Sequence, residues 1–290
     1  MPTPTASTRR RYGWRPDVPD HRDHVAAVTA PTTQRPLPRA CLYLPLKLPA
    51  PYDQTTLGSC TGNGIALLAA WRILRQGLPL IAFSRLFIYY CERVIEGTVA
   101  QDAGAEIRDG MKALAQYGVP PERLWPYKVK SFATKPPRSV YAEALKHRAT
   151  GYARVPMTLD AIRSAVALDA SPVVFGFSVY ESFEGDEIAR TGQMVRPLPS
   201  ERLLGGHCTV IVGYDDDHDN GPGCPRGAFL VRNSWGSTWG INDPAHPEFA
   251  GHFWFPYDVF MSPGFADDLW VLSQTVDTAP APPPAGPPLA

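Results

Sequence analysis

The run Ile65-Ala-Leu-Leu-Ala-Ala-Trp-Arg-Ile-Leu74 constrains this chain more than any other stretch. It lies between Ser59-Cys60 and Gly77, which read as a helix start and a helix stop. Ile65, Leu67, Leu68, Trp71, Ile73 and Leu74 fall on every face of that helix, and a helix apolar all round is a buried one. The fold must therefore wrap around it. Cys60 then stands at the N-terminus of a central helix. The unpaired N–H groups and the dipole favour a negative group there, so a thiol in that place is expected to ionise readily. The plain alternative is a small buried apolar cysteine, and this stretch alone does not choose between the two.

The rest of the first half is helical in pattern. Ser84 caps a predicted helix over Arg85–Val94, a third runs from Glu106 to Tyr117 before Gly118 and Pro120-Pro121, and a fourth covers Val140–His147. Thr158 caps a fifth over Leu159–Leu168. The pattern then changes to strands: Pro172–Val179, Cys208–Tyr214, Ala228–Arg232, His252–Phe255 and Leu269–Leu272. Helices followed by strands imply an α+β protein of two lobes, with the ligand site in the cleft between them. The expected organisation is an N-terminal arm over 1–38, a domain over 39–277 and a disordered Pro/Ala tail over 278–290. Within the domain a helical lobe spans about 51–150 and a β-rich lobe about 151–277. Tyr12 and Trp14 suggest that the arm docks, either as a simple strap or as a regulatory segment.

Charge excludes some partners. The 28 basic residues balance 28 acidic ones, so no net field points to nucleic acid or to an anionic membrane. No apolar run approaches the ~20 residues of a transmembrane helix, and residues 1–11 lack the apolar centre of a Sec signal. Five scattered cysteines argue for reduced thiols rather than a disulfide framework. A monomer in the cytoplasm, or one exported by a non-Sec route, is expected.

A cysteine nucleophile needs a base, and the base needs an orienter. Of the seven histidines, His21, His24, His147, His218 and His246 sit in polar, exposed-looking contexts, and His252 opens an apolar strand. His207 follows Gly205-Gly206 at a strand mouth, where backbones approach closely. Asn233 ends the strand Phe229–Asn233 and opens Asn-Ser-Trp-Gly-Ser-Thr-Trp-Gly240. An indole over an Asn–His contact would exclude water and strengthen it. His207 and Cys208 point to opposite faces of a strand and cannot chelate one ion, so neither metal nor cofactor is expected.

The order Gln54, Gly58-Ser59-Cys60, His207 to Val212-Gly213-Tyr214, and Arg232-Asn233-Ser234-Trp235-Gly236 through Trp239-Gly240 resembles the papain-like cysteine peptidases. Ala115–Gly118 with Trp125-Pro-Tyr127 also resembles that family's helix and following turn. The resemblance runs from about Leu48 to Leu272 and implies a papain-like two-lobed fold. It implies an endopeptidase with Cys60 as nucleophile, His207 as base, Asn233 as orienter and Gln54 in the oxyanion hole, acting on a peptide or protein substrate. An aminopeptidase, a peptide ligase and a silent peptide-binding protein are the alternatives. By the same resemblance, Trp235 shields the Asn233–His207 contact, Gly104 and Ala105 bind peptide backbone, and Cys208 walls a subsite. Thr61 replaces the aromatic residue that usually follows the nucleophile, and Leu57 the cysteine of a lobe disulfide. The overall pattern is similar to the shorter bacterial members; the arm is far shorter than the helical propeptide of plant and lysosomal members, and it is expected to lie across or beside the cleft and restrain activity.

Overall fold

A computed structural model describes residues 11–42 and 48–277. The predicted tail over 278–290 lies outside the described residues. Helix α1 spans Cys60–Arg75, and all but three of its residues are buried. Around it stand α2 (Arg85–Glu96), α3 (Ile107–Tyr117) and α4 (Arg138–Ala144). The Ser84 hydroxyl accepts the Phe87 N–H at the start of α2, and Gly97 closes that helix in the left-handed region. Phe87, Tyr90, Ala113 and Val140 form the apolar contact between α2, α3 and α4.

Among the described residues one antiparallel sheet runs in the order β2 (His147–Arg154), β7 (Ala266–Asp277), β3 (Val173–Tyr180), β4 (Leu203–Asp215), β5 (Ala228–Arg232), β6 (His252–Pro256). A short β1 (Ala40–Leu42) pairs with the far end of β4. Helix α5 (Leu159–Ala167), capped by Thr158, packs against this lobe. Short helices α6 (Asp186–Thr191) and α7 (Tyr257–Phe260) complete it.

The sheet has a different core on each side. On one, Phe175, Phe177, Phe183, Phe253 and Phe255 form an aromatic cluster with ring centroids 5.1–6.3 Å apart. On the other, Val174, Cys208, Val210 and Trp270 pack with Ile65, Ala66 and Leu67 of α1. The buried central helix thus lies against the sheet, and its N-terminus, Cys60, reaches the seam where the lobes meet.

Two expectations are corrected. The predicted helix Val140–His147 ends at Ala144, and His147 instead opens β2. That strand is an edge bent by register shifts around Gly151, and its second half is only partly buried, so its alternation stops at Thr150. His147 is buried rather than exposed, with its ring 5.1 Å from Phe83. His218 is half-buried and stacks on Trp254 at 4.1 Å. No helix among the described residues is long and apolar enough to cross a membrane.

Candidate active site

Cys60 is the first residue of α1 and is fully buried. Ser59, before it, does not cap the helix with its side chain, because its hydroxyl shares a 2.6 Å hydrogen bond with the Tyr127 hydroxyl. Tyr127 donates its O–H to the Gln54 carbonyl at 2.8 Å. The following Thr61 donates its hydroxyl to Glu92 at 2.8 Å. Burial pushes that carboxyl up to about 8, so a neutral acid lies beneath the first turn of the helix.

His207 sits in β4 opposite Phe177 of β3 and is fully buried. Its Nε2 lies 2.8 Å from Asn233 Oδ1, and the same oxygen accepts the Ser234 N–H at 2.8 Å. An amide oxygen only accepts, so Nε2 carries a proton. Trp235 stacks on the imidazole, with centroids 5.0 Å apart and planes at 27°. The loop carrying Trp235 also fixes Gln54. The Gln54 N–H donates to the Ser234 carbonyl at 2.9 Å, and the Ser234 hydroxyl donates to Gln54 Oε1 at 2.7 Å. With Oε1 occupied, the amide presents its Nε2 donor toward the groove.

That donor meets the chain's own arm. Gln54 Nε2–H reaches the Arg11 carbonyl at 3.1 Å and the Leu57 carbonyl at 2.8 Å. Tyr12 lies edge-on to His207 at 6.2 Å and near Trp235 at 6.3 Å. Gly13 crosses the Cys60 thiol, with its N–H directed at the sulfur. Its carbonyl accepts the Ala105 N–H at 2.7 Å, the Trp14 N–H donates to Gly206 at 2.9 Å, and the Arg15 N–H donates to the Ala105 carbonyl at 3.2 Å. The bridge between Trp14 and Ala105 is parallel. Only glycine fits at Gly13, since a Cβ there would lie 1.7 Å from the Gly58 carbonyl oxygen. The Trp14 indole fills a slot between Gly176 and Gly206, where a Cβ on Gly176 would come within 1.9 Å of the ring, and its Nε1–H donates to Asp268 at 3.1 Å.

The arm then enters a charged cluster. Asp17 accepts the Arg108 N–H at 3.1 Å, the Trp270 Nε1–H at 2.9 Å and Arg154 at 2.7 Å. Asp23 accepts from the Arg108 and Arg154 guanidinium groups, each at 2.7 Å. Burial first, then the neighbouring Asp268 charge, pushes the Asp17 carboxyl up to about 7 against those donors. Burial also opposes the Asp23 charge, yet hydrogen bonds from Arg108 and Arg154 hold that carboxyl below its ordinary range. The two act oppositely on the docked arm. The Asp17 contribution is complete below the free-carboxylate pKa of ~3.9 and is lost as pH rises through about 7. The Asp23 contribution is present above the free value and is lost as pH falls through its lowered one.

The structure thus brings Cys60, His207, Asn233, Gln54 and Trp235 to one seam. Ala105 offers its backbone to the arm, and Gly104, at φ 72° with a would-be Cβ 2.1 Å from the Gly13 carbonyl, supplies the clearance. Cys208 is placed differently from expectation. Its thiol turns toward Gly64 in α1, because alternation along β4 sends it to the helix side. Gly176 and Gly206 flank the Trp14 slot instead. Burial pushes the Cys60 thiol up to about 11, against the ready ionisation expected of a helix N-terminus. His252 is no rival base: burial, then the Arg232 charge, pushes it down to about 3, and Nδ1 is engaged by the Phe249 and Ala250 carbonyls. No group of three His, Cys, Asp or Glu among the described residues is arranged to hold a metal. Sequence reasoning missed Gly176 and Asp268, and gave Asp17 no role beyond its place in a docking segment of the arm. Only the arm's aromatic residues gave a signal.

The Papain family cysteine protease profile matches residues 48–243. A peptidase C1-like protein of Acanthamoeba polyphaga mimivirus, L477, is 37% identical over 234 residues, which is 78% of this chain and 70% of that protein. The crystal structure of xylellain, a cysteine protease from Xylella fastidiosa, superposes with a TM-score of 0.77 at 35% identity, covering 92% of this chain and 98% of that one. The cysteine protease and lectin-like domains of Cwp84 from Clostridium difficile share the fold at 15% identity, with a TM-score of 0.68 over 94% of this chain and 58% of that one. The chain is a member of the papain family of cysteine proteases, with that family's two-lobed α+β fold.

Proposed function

We propose that this papain-family peptidase cleaves internal peptide bonds through Cys60, His207 and Asn233, with Gln54 in the oxyanion hole, and that residues 11–24 of its arm restrain it. The observation that carries the reading is the fixed chain of contacts from Ser234 to Gln54 and from Asn233 to His207 under Trp235. With Nε2 committed to Asn233, His207 exchanges protons with the Cys60 thiol through Nδ1. The thiolate adds to the peptide carbonyl carbon, forming a C–S bond. The oxyanion takes hydrogen bonds from Gln54 Nε2–H and the Cys60 N–H. The C–N bond then breaks as His207 gives its proton to the leaving amine. Water, losing a proton to His207, hydrolyses the thioester and frees Cys60.

The restraint rests on occupancy. The Arg11 carbonyl takes the Gln54 donor, and the Gly13 N–H faces the sulfur. An N–H offers no electrophilic carbon to a thiolate, so the arm blocks the site without being consumed there. The test is labelling by an epoxysuccinyl inhibitor, followed by peptide mapping of the adduct. Adduct at Cys60 in a form whose arm is displaced supports the reading. No adduct in either the native or the displaced form refutes it. Cleavage of an internally quenched peptide at interior bonds, with no release of single terminal residues, separates endopeptidase from aminopeptidase action.

A further inference from the structure

The strongest feature outside the catalytic groups is the cluster of donors that holds Asp17. Four elements converge on that one carboxylate: the N-terminus of α3, β2, β7 and the arm. Arg108 is the second residue of α3, and its N–H is one of the donors a helix start leaves open. Glu106, at the N-cap, makes no side-chain cap. Asp17 therefore caps α3 from outside the helix. Arg154 of β2 and Trp270 of β7 complete a cradle of three donors, in which the Arg154 guanidinium also lies 4.6 Å over the Trp270 ring. Trp270 is fully buried, and the Asp17 side chain is 0% exposed.

Every donor in this cradle belongs to the peptidase domain, and the acceptors Asp17 and Asp23 belong to the arm. With the arm lifted, Arg108 and Arg154 lose both carboxylates, and Asp268 is the acid left on Arg154. The uncovered surface joins the Arg108 N–H, the Arg154 guanidinium and the Trp270 indole N–H, with Asp268 beside them, to the glycine-walled slot of Trp14. We infer that this surface is a receptor for a peptide element with an aromatic residue followed three positions later by a carboxyl group. In this structure the element is Trp14 and Asp17. The receptor accepts the same chemistry from another chain, and such an acidic peptide competes with the arm. This rests on the reading that the arm is a displaceable restraint.

The test uses the full chain carrying Gly13→Ala, Trp14→Ala, Asp17→Ala and Asp23→Ala, which displaces the arm and removes its anchoring side chains from the receptor. A fluorescein-labelled peptide of residues 11–24 is titrated in and read by anisotropy. It is expected to bind, and the peptide carrying Asp17→Ala and Asp23→Ala is expected to bind at least ~10-fold more weakly, as for lost hydrogen bonds to charged groups. Adding Arg154→Met to the protein should shrink that gap. Equal binding of the two peptides, or no binding of the unaltered one, overturns the inference. The peptide comparison stands even where the Arg154 variant is poorly folded. Anisotropy needs no turnover, so a chain that binds the peptide but cleaves nothing would count against the peptidase reading alone.

Discussion

Replacing Gly13 by Ala is the sharpest perturbation of the arm, because the added methyl has nowhere to go. Its Cβ would lie 1.7 Å from the Gly58 oxygen and 2.4 Å from the Gly58 carbonyl carbon. Gly58 cannot yield easily. Its N–H is held by Asp102 at 3.0 Å, Asp102 is held by the Tyr89 hydroxyl at 2.5 Å, and Ser59 and Cys60 behind it are fully buried. The arm must move instead. It then loses the hydrogen bonds joining Gly13 to Ala105, Trp14 to Gly206, Ala105 to Arg15 and Gln54 to Arg11. At about 1 kcal/mol net each, their loss favours the open arm by about 4 kcal/mol, or about 10³-fold in population. Activity rises only until the arm is fully open, so the expected gain in kcat/KM lies between about 10- and 10³-fold. The assay is hydrolysis of a short fluorogenic dipeptidyl substrate, beside the rate of epoxysuccinyl labelling. Unchanged kcat/KM and unchanged labelling, with the thermal transition intact, would refute the reasoning, since a displaced plug must expose the thiol.

Three further outcomes are expected. In the Gly13→Ala background, Gln54→Ala should lower kcat by about 10²- to 10³-fold through the lost oxyanion donor, and Ser234→Ala by about 5- to 10-fold, as for one orienting hydrogen bond of about 1 kcal/mol. Limited proteolysis of the native arm should accelerate as pH rises through about 7, because ionised Asp17 is held poorly beside Asp268. Asp17→Asn should flatten that rise, and an unchanged profile would refute its assignment to Asp17. Phe177→Ala, at the centre of the aromatic cluster, should cost about 3–5 kcal/mol and lower the calorimetric Tm by about 10 °C. A shift under ~2 °C would mean that the cluster repacks.

The parts of the fold that were legible in the sequence carry strong local patterns. Helix α1 announced itself because burial on every face leaves no polar stripe to confuse its reading. Strands β4 and β5 did so because both are covered on two sides and read as continuous apolar runs. Strand β2 was illegible for the opposite reason: His147–Arg154 is an irregular edge with few apolar residues, and its pairing with β7 lies more than a hundred residues away. The site divides in the same way. Cys60, His207, Asn233 and Gln54 lie in dense motifs, whereas Gly176 and Asp268 become part of a slot only when β3 and β7 pair beside the arm. Asp17 gave no sign, because a carboxylate in a proline-rich stretch reads as solvated until its three donors are brought to it.

The thiol shows how local and tertiary effects compete. A helix N-terminus stabilises a nearby charge by about 0.3–1 kcal/mol when exposed and up to ~2 kcal/mol when partly buried. Full burial can move a titrating group by about 3–5 pKa units, or several kcal/mol. At Cys60 burial wins, and the thiol stands at about 11 although the Cys208, Gly13 and Thr61 N–H groups all favour its ionised form. Gly13 is both part of the cover and one of those donors. Lifting the arm would take the Gly13 N–H from the sulfur and readmit water to it. On the proposed reading, the segment that fills the groove would therefore also disfavour the thiolate, and displacing it by Gly13→Ala should relieve blocked access and raise thiol reactivity together.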